Sequence, residues 1–208
     1  MSKDEPPIER PLVVAITGAS GAVYATRLLD VLLGSGREVH LLISPSGASV
    51  VKQELQRNVS LERFDPRSLL PDFSERAAGQ IHYHHYQDFM AQPASGSFLT
   101  SGMIVCPCSG STLSAIACGA SNNLIQRAAD VHLKERRTLI LVPRETPLSL
   151  VHLDNMRRAA KAGAVILPAM PGWYHGVKSV QDLVDFVVAR ILDQLGVPHE
   201  LMRRWGNP

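Results

Sequence analysis

Residues 12–21, LVVAITGASG, predict the fold class of this chain. The first five residues are an apolar run typical of a buried strand, and Thr17 to Gly21 are small enough for a tight turn into an amphipathic stretch. A strand, a glycine-containing turn and a helix form an anion site, because the N–H groups at a helix N-terminus attract phosphate. The stretch therefore predicts an α/β protein that binds a phosphorylated ligand at its first strand.

Apolar runs alternate with helical patterns along most of the remaining chain, which is typical of a parallel sheet covered by helices. Further strands are predicted at 39–43, near 81–86, and at 103–106, 138–142 and 164–167, and helices at 22–33, 47–56, 113–118, 124–134, 148–162 and 180–195. Residues 58–102 have no other clear pattern, and 92–97 form a predicted loop. We predict one domain over residues 11–208, a doubly wound, mostly parallel, Rossmann- or flavodoxin-like three-layer sandwich, after a flexible N-terminus at 1–10.

Composition limits the classes of protein to consider. With 208 residues, 45% of them hydrophobic, the chain suits one globular domain with a sizeable core. Its formal net charge of +2 and lack of a basic tract give no support for nucleic-acid binding, and its apolar runs are too short to span a bilayer. The polar first ten residues lack a signal-peptide pattern, and three cysteines make no even disulfide framework. We expect a cytoplasmic protein.

Hydroxyl groups, glycines and a cation follow the predicted strands at their carboxyl ends, where ligands bind in open α/β sheets. Each hydroxyl taken alone is explained by helix capping, but five such loops at one edge favour a phosphomonoester. The candidate residues are Gly18, Ala19 and Ser20; Ser44; Ser109, Gly110, Ser111 and Thr112; Arg144 and Glu145; and the loop 171–175 with Tyr174.

Two features favour a mononucleotide such as FMN over a dinucleotide. The G-x-G-x-x-G fingerprint is incomplete, because Ala22, Val23 and Tyr24 follow Gly21. Ser44 follows the second strand, where enzymes that use NAD usually place Asp or Glu for the ribose hydroxyls.

Three cations and one carboxyl group are further candidates. Arg127 and Lys134 are seven residues apart in one predicted helix, and this common face either holds a second phosphate or is a solvated basic stripe. Arg190 flanks the apolar stripe of the last helix, and its spacing leaves open whether it meets solvent or a pocket. Glu145 is either a proton-transfer group or a simple partner of Arg144.

The histidine-rich segment 82–85 is the one candidate for a metal site. Because no Cys, Asp or Glu stands at ligand spacing near it, a strand with surface histidines is favoured. The chain also has no D-D-x-x-D cluster, so a magnesium–diphosphate site is not indicated. We predict no metal site.

Several segments together resemble the UbiX/Pad1 family of flavin prenyltransferases, formerly called aromatic-acid decarboxylases. The resemblance runs from about residue 12 to 206, and its motifs occur in order: ITGASGA 16–22, CPCS 106–109, TLS 112–114, RAAD 127–130, LKERR 133–137, VPRETP 142–147, GWYH 172–175, VVARIL 187–192 and RWG 204–206. It implies a metal-independent, FMN-binding transferase that joins the prenyl group of dimethylallyl monophosphate to N5 and C6 of reduced FMN. The implied product, prenylated FMN, goes to a UbiD-type decarboxylase, and the implied assembly is a dodecamer with pockets shared between subunits.

The same resemblance implies a role for each candidate residue. Glu145 matches the group that shuttles a proton, Ser20 helps to position it, and Trp205 closes over the site. Tyr174 and Arg190 match residues that hold the dimethylallyl phosphate, with Arg127 and Lys134 adding positive charge. The FMN-binding set is Gly18, Ala19, Ser20, Ser44, Ser109, Gly110, Ser111, Thr112 and Arg144.

Two other functions stay open at this point. An FMN-dependent cysteine decarboxylase of a related family would carry a histidine near the first βα unit and a PASANT motif, whereas this chain has PCSGST at 107–112 and no histidine before His40. A non-catalytic FMN carrier that supplies a decarboxylase would not need Glu145 or the second set of cations.

Overall fold

The computed structural model describes residues 10–73, 80–204 and 206 of the chain. Six strands form one parallel sheet in the order β3-β2-β1-β4-β5-β6. They are β1 Leu12–Ile16, β2 Val39–Ile43, β3 Ile81–His85, β4 Gly102–Cys108, β5 Leu139–Pro143 and β6 Val165–Ile166. This order confirms the doubly wound sheet, with its switch point between β1 and β4. The N-terminus expected to be flexible lies, up to residue 9, outside the described residues.

Helices cover both faces of the sheet. They are α1 Ala22–Gly34, α2 Pro45–Leu55, α3 Pro66–Leu69, α4 Gly110–Ala117, α5 Leu124–Lys134, α6 Leu150–Lys161 and α7 Val180–Leu195, with a 3₁₀ turn at Gln92–Ala94. Within the described parts of the chain, no helix has the length and apolar character needed to cross a membrane.

Successive residues of β1 point to opposite faces of the sheet and build two separate cores. Val14 packs on the side of α1 and α7, whereas Val13 packs on the side of α4, α5 and α6. All residues of β1, β2, β4 and β5 are buried, as expected for parallel strands that are covered on both faces.

The largest departure from the predicted boundaries lies at the switch point. The fourth strand extends past Cys106 to Cys108, and the helix after it begins at Gly110 rather than Leu113. Sequence reasoning ended the strand early because Pro107 has no N–H for a sheet ladder. The pairing of β4 with β5 shifts register between Val105 and Cys108, which accommodates the proline and lets the strand continue to Cys108.

Candidate active site

The turns that follow β1 and β4 are joined by one buried hydroxyl. Thr17 Oγ1 donates to the carbonyl oxygen of Pro107 at 2.7 Å and accepts from the N–H of Ser109 at 2.8 Å. The N–H of Thr17 also donates to the Pro107 oxygen, at 3.2 Å. These bonds hold the two turns side by side at the switch point, where a ligand of this fold binds.

Hydroxyl groups cluster at the N-terminus of α4. Ser109 Oγ accepts from the N–H of Thr112 at 3.3 Å and lies 3.1 Å from Ser111 Oγ and 3.0 Å from Thr112 Oγ1. The first turn of this helix contains no acidic residue. By helix geometry, the N–H groups of Gly110 and Ser111 have no acceptor within the helix. Among the described residues, the cap at this positive end of α4 is a neutral hydroxyl, which suits an anion.

The N-terminus of α1 differs, because a carboxylate already lies there. Glu54 of α2 accepts from the N–H of Gly21 at 3.0 Å and from that of Ala22 at 2.8 Å. The hydroxyl of Ser20 also donates to Glu54. A ligand phosphate at this turn therefore stays a prediction, and the N–H groups of Gly21 and Ala22 already have an acceptor. Their anion is an internal side chain.

Charge and hydrogen bonding together keep Glu54 ionised. Burial raises the pKa of Glu54, but the hydrogen bonds from Ser20, Gly21 and Ala22 and the charge of Arg144 outweigh burial and leave that pKa below its usual value. Sequence reasoning missed Glu54 because it stands 33 residues from Gly21, and no local pattern signals such a contact.

Arg144 connects the loop after β5 to the same turn. Its Nε donates to the carbonyl oxygen of Ser20 at 3.2 Å, so the guanidinium reaches across the switch point. Glu145 is exposed beside it and accepts from the N–H of Thr146 at 3.2 Å. The structure thus brings Ser20, Arg144 and the neighbouring Glu145 to one edge.

Two glycines allow the turns after β1 and β2 to approach each other closely. A Cβ on Gly18 would stand 2.5 Å from Ser46 Cβ, and a Cβ on Gly47 would stand 2.5 Å from the backbone oxygen of Ile16. Ser44 caps α2 by accepting from the N–H of Gly47 at 3.0 Å. The candidate FMN-binding residues Gly18, Ala19 and Ser44 therefore line one crowded corner next to the switch point.

Tyr174 and Arg190 both border Phe186. The ring of Tyr174 meets the ring of Phe186 edge-on, with centroids 5.7 Å apart. Phe186 and Arg190 also line one groove of about 270 Å³ beside β6. Arg190 Nη1 donates to Asp193 Oδ2 at 2.7 Å, which holds the guanidinium at the rim of this groove. The sequence left open whether Arg190 meets solvent or a pocket. In the structure its side chain is partly exposed and also lines the groove.

Arg127 and Lys134 lie along one face of α5, as their spacing predicts, and both meet the loop around residues 94–96. Arg127 donates to the carbonyl oxygen of Ala94 at 3.1 Å and to Asp130 at 3.1 Å. Lys134 pairs with Glu135 and lies close to Gly96. The contacts described for these two cations include neither Ser20 nor Arg144. Trp205, the predicted aromatic cover, lies outside the described residues.

Comparisons with known proteins show the family of this chain. The model of the Flavoprotein family matches residues 2–192. A flavin prenyltransferase UbiX of Pseudomonas aeruginosa is 53% identical over 196 residues, which is 94% of each chain. AnUbiX (PadA1), solved in complex with FMN and dimethylallyl pyrophosphate, has a TM-score of 0.83 at 40% identity, over 96% of this chain and 98% of that one. A dodecameric FMN-dependent UbiX-like decarboxylase of Escherichia coli O157:H7 has a TM-score of 0.81 at 40% identity, over 95% and 100%. The chain therefore belongs to the flavoprotein family and, within it, to the flavin prenyltransferases.

Proposed function

We propose that this enzyme joins the dimethylallyl group of dimethylallyl monophosphate to reduced FMN and yields prenylated FMN for a UbiD-type decarboxylase. The observation that carries the proposal is the contact of Arg144 with Ser20 at 3.2 Å. This contact brings a cation, a hydroxyl-bearing turn and the adjacent Glu145 to the edge of the sheet where this fold binds nucleotides.

The residues at the switch point fit a flavin mononucleotide. The N-terminus of α4, with the hydroxyls of Ser109, Ser111 and Thr112, offers donors to one phosphate without a competing carboxylate in its first turn. At the turn after β1, Gly18 lets the backbone come close to α2, and Arg144 adds positive charge. When bound, reduced FMN supplies N5 and C6, which form the bonds to C1′ and C3′ of the prenyl group.

Tyr174 and Arg190 are the groups we assign to the phosphate of the prenyl donor. The phosphate leaves with the electron pair of its bond to C1′, so a cation and a phenol hydroxyl near it stabilise the developing charge. Phe186 lies beside both residues and provides an aromatic wall for the allylic group. No metal ion is needed for this step, because the leaving charge meets protein donors.

Glu145 is the group we assign to proton transfer. Its carboxylate lies on the loop after β5, next to Arg144. The hydrogen bond described for it comes from the backbone N–H of Thr146, at 3.2 Å. It takes the proton that N5 loses as the N5–C1′ bond forms and gives it to C2′ of the allylic double bond, so that C3′ can bond C6. It then takes up the proton that C6 loses. The hydroxyl of Ser20 stands at the same edge and helps to position it.

Arg127 and Lys134 act at a neighbouring subunit's pocket in this proposal. Within one chain they contact the loop around residues 94–96 and their acidic neighbours Asp130 and Glu135. A UbiX-like relative of E. coli is dodecameric, and shared pockets in such an assembly would give these cations a role on another copy. We therefore propose a homododecamer for this chain.

The decisive experiment incubates the purified protein anaerobically with reduced FMN and either dimethylallyl monophosphate or dimethylallyl pyrophosphate, and then measures the flavin mass. A gain of one C5 unit with the monophosphate is expected. An unchanged flavin mass with both donors contradicts the proposal and favours the FMN carrier. Release of CO₂ from a peptidyl or pantothenoyl cysteine would favour the cysteine decarboxylase instead.

Two variants test the assigned residues against matched controls. Glu145→Gln is expected to retain FMN and to slow turnover, whereas Glu62→Gln, at a carboxylate whose side chain is 84% exposed, should behave like the wild type.

Arg190→Ala should raise KM for the prenyl donor by about 10–100-fold, because one hydrogen bond to a charged group is lost. Arg157→Ala is its control, because Arg157 makes a similar pair with Asp154 at 3.0 Å. Equal effects of the two arginine variants would remove Arg190 from the site.

A further inference from the structure

Two histidines and a glutamate meet near the amino ends of β2 and β3, away from the carboxyl ends where the active site lies. In the parallel pairing of β2 with β3, His40 stands opposite His82, so their side chains share one face of the sheet. Glu38 precedes β2 and thus lies at the amino ends of the strands, whereas the nucleotide edge lies at their carboxyl ends. We call Glu38, His40 and His82 the histidine site.

The ligand atoms of the histidine site approach one another closely. His82 Nε2 lies 3.1 Å from Glu38 Oε1, and His40 Nε2 lies 3.4 Å from the same oxygen. One potential ligand atom from each of the three residues fits within a mutual distance of 4.8 Å. A tetrahedral zinc ion, with bonds of about 2.0–2.1 Å, holds its ligands roughly 3.4 Å apart. The side chains are therefore already close to a coordinating arrangement.

His84 holds the ring of His40 in the orientation that coordination needs. His40 Nδ1 lies 2.8 Å from His84 Nε2, and the two rings stack with centroids 5.0 Å apart. Phe98 packs against the His40 ring at 4.7 Å and limits its movement. A hydrogen on Nδ1, directed to His84, leaves the lone pair of His40 Nε2 available for a metal ion.

The histidine site is also accessible. The side chain of His40 is 2% exposed, whereas those of His82 and Glu38 are 45% and 47% exposed. One buried ligand and two half-exposed ones leave an entry path from solvent and room for a water molecule as a fourth ligand. Two imidazoles, one carboxylate and one water form a common zinc ligand set.

We propose that Glu38, His40 and His82 bind a divalent transition-metal ion of the zinc class, with His84 as the outer partner that orients His40. This inference is independent of the proposed function, since prenyl transfer needs no metal and takes place at the other edge of the sheet. The ion links the edge strand β3 to β2 and stabilises that side of the sheet. It differs from the sequence-based prediction of surface histidines, because the sheet brings Glu38 and His40 to the segment 82–85.

The test uses the full chain in its native assembly, without an affinity tag, after treatment with a chelator. Titration with ZnCl₂ by calorimetry should give one ion per chain and a raised Tm, because an ion bound to the folded state stabilises it. Titration with Co²⁺ should give visible d–d absorption of a four-coordinate site. His82→Ala and Glu38→Gln should each weaken binding by more than about tenfold, because each removes a ligand.

His85→Ala is the matched control. His85 lies on the same strand, but its Nε2 faces Glu62 at 3.5 Å and not the histidine site. Far-UV circular dichroism and a cooperative thermal transition of each variant show that it is folded. The proposal is overturned if the wild type shows no saturable binding, which would leave a hydrogen-bonded histidine cluster only. It is equally overturned if His82→Ala and Glu38→Gln bind Zn²⁺ as tightly as His85→Ala does.

Discussion

The N-termini of α1 and α4 flank the same switch point, yet they handle their positive ends in opposite ways. At α1 the carboxylate of Glu54 accepts from Gly21 and Ala22. At α4 the cap is the neutral hydroxyl of Ser109, and the hydrogen bonds described for its first turn include no carboxylate. Both turns follow a buried strand and contain glycine and serine, so their sequences look alike.

The difference between the two helix ends suggests a different role for each at the same edge of the sheet. A helix end that already bonds a carboxylate repels a second anion, whereas a helix end with neutral caps attracts one. We therefore assign the flavin phosphate to the α4 turn, and the positioning of Ser20 and Arg144 to the α1 turn. Thr17 joins the two turns, since its hydroxyl bonds both Pro107 and Ser109.

Removing the bridge between the turns should have the largest effect. Thr17→Val keeps the shape of a side chain that is 1% exposed but leaves the N–H of Ser109 without its acceptor. The free energy of unfolding should fall by about 1–3 kcal/mol, and FMN binding should weaken. Chemical denaturation and flavin titration measure both. Thr17→Ser retains the hydroxyl and should keep FMN affinity near that of the wild type; a loss equal to that of the valine variant would contradict the bridge.

Neutralising the α1 end should have the next largest effect. Glu54→Gln removes the charge that meets the helix dipole, and stability should fall by about 1 kcal/mol. The vacated helix end should then attract an added anion, so inorganic phosphate should raise the Tm of this variant more than that of the wild type. An equal phosphate response in both proteins would mean that Glu54 does not compete for this helix end.

Removing the α4 cap should lower stability by about as much as Glu54→Gln does, but it should also weaken ligand binding. Ser109→Ala should lose about 1 kcal/mol and weaken FMN binding, because a cap and a phosphate donor disappear together. Ser179 caps α7 in a similar way, by accepting from the N–H of Asp182 at 3.3 Å. Ser179→Ala should therefore lose similar stability and retain FMN affinity. Flavin titrations that weaken equally for both variants would contradict the assignment of the phosphate to α4.

Acid should produce the smallest effect and, of these two helix ends, should affect α1 alone. The folded-state pKa of Glu54 lies below its ordinary value near 4.5, so its ionised form contributes stability above that value and loses the contribution as pH falls below it. Hydrogen-exchange protection of Gly21 and Ala22 should decrease in that range, whereas that of Thr112, bonded to a neutral hydroxyl, should not. Parallel decreases at both turns would contradict this distinction.

Local sequence patterns were sufficient to predict most of the fold. The apolar run 12–16 and the periodicity of 180–195 match the observed strand and helix. A strand buried on both faces gives a continuous apolar run, and a helix buried on one face gives apolar residues at a helical period. Pattern reasoning ended β4 too early at Pro107, since the register shift that accommodates a proline depends on the neighbouring strand. The hydroxyl-rich turns and the spacing of Arg127 and Lys134 were also predictable from the sequence.

The contacts that distinguish the two turns were not predictable in this way. The bonds of Glu54 to the end of α1 and of Thr17 to Ser109 join residues that are distant in the chain. The approach of Glu38 and His40 to His82 is of the same kind, since it depends on which strands pair and in which register. Periodicity and turn chemistry act over a few neighbouring residues and therefore specify the elements and their ligand-facing ends. The partners of each side chain follow from the order of strands in the sheet, which places distant segments in contact.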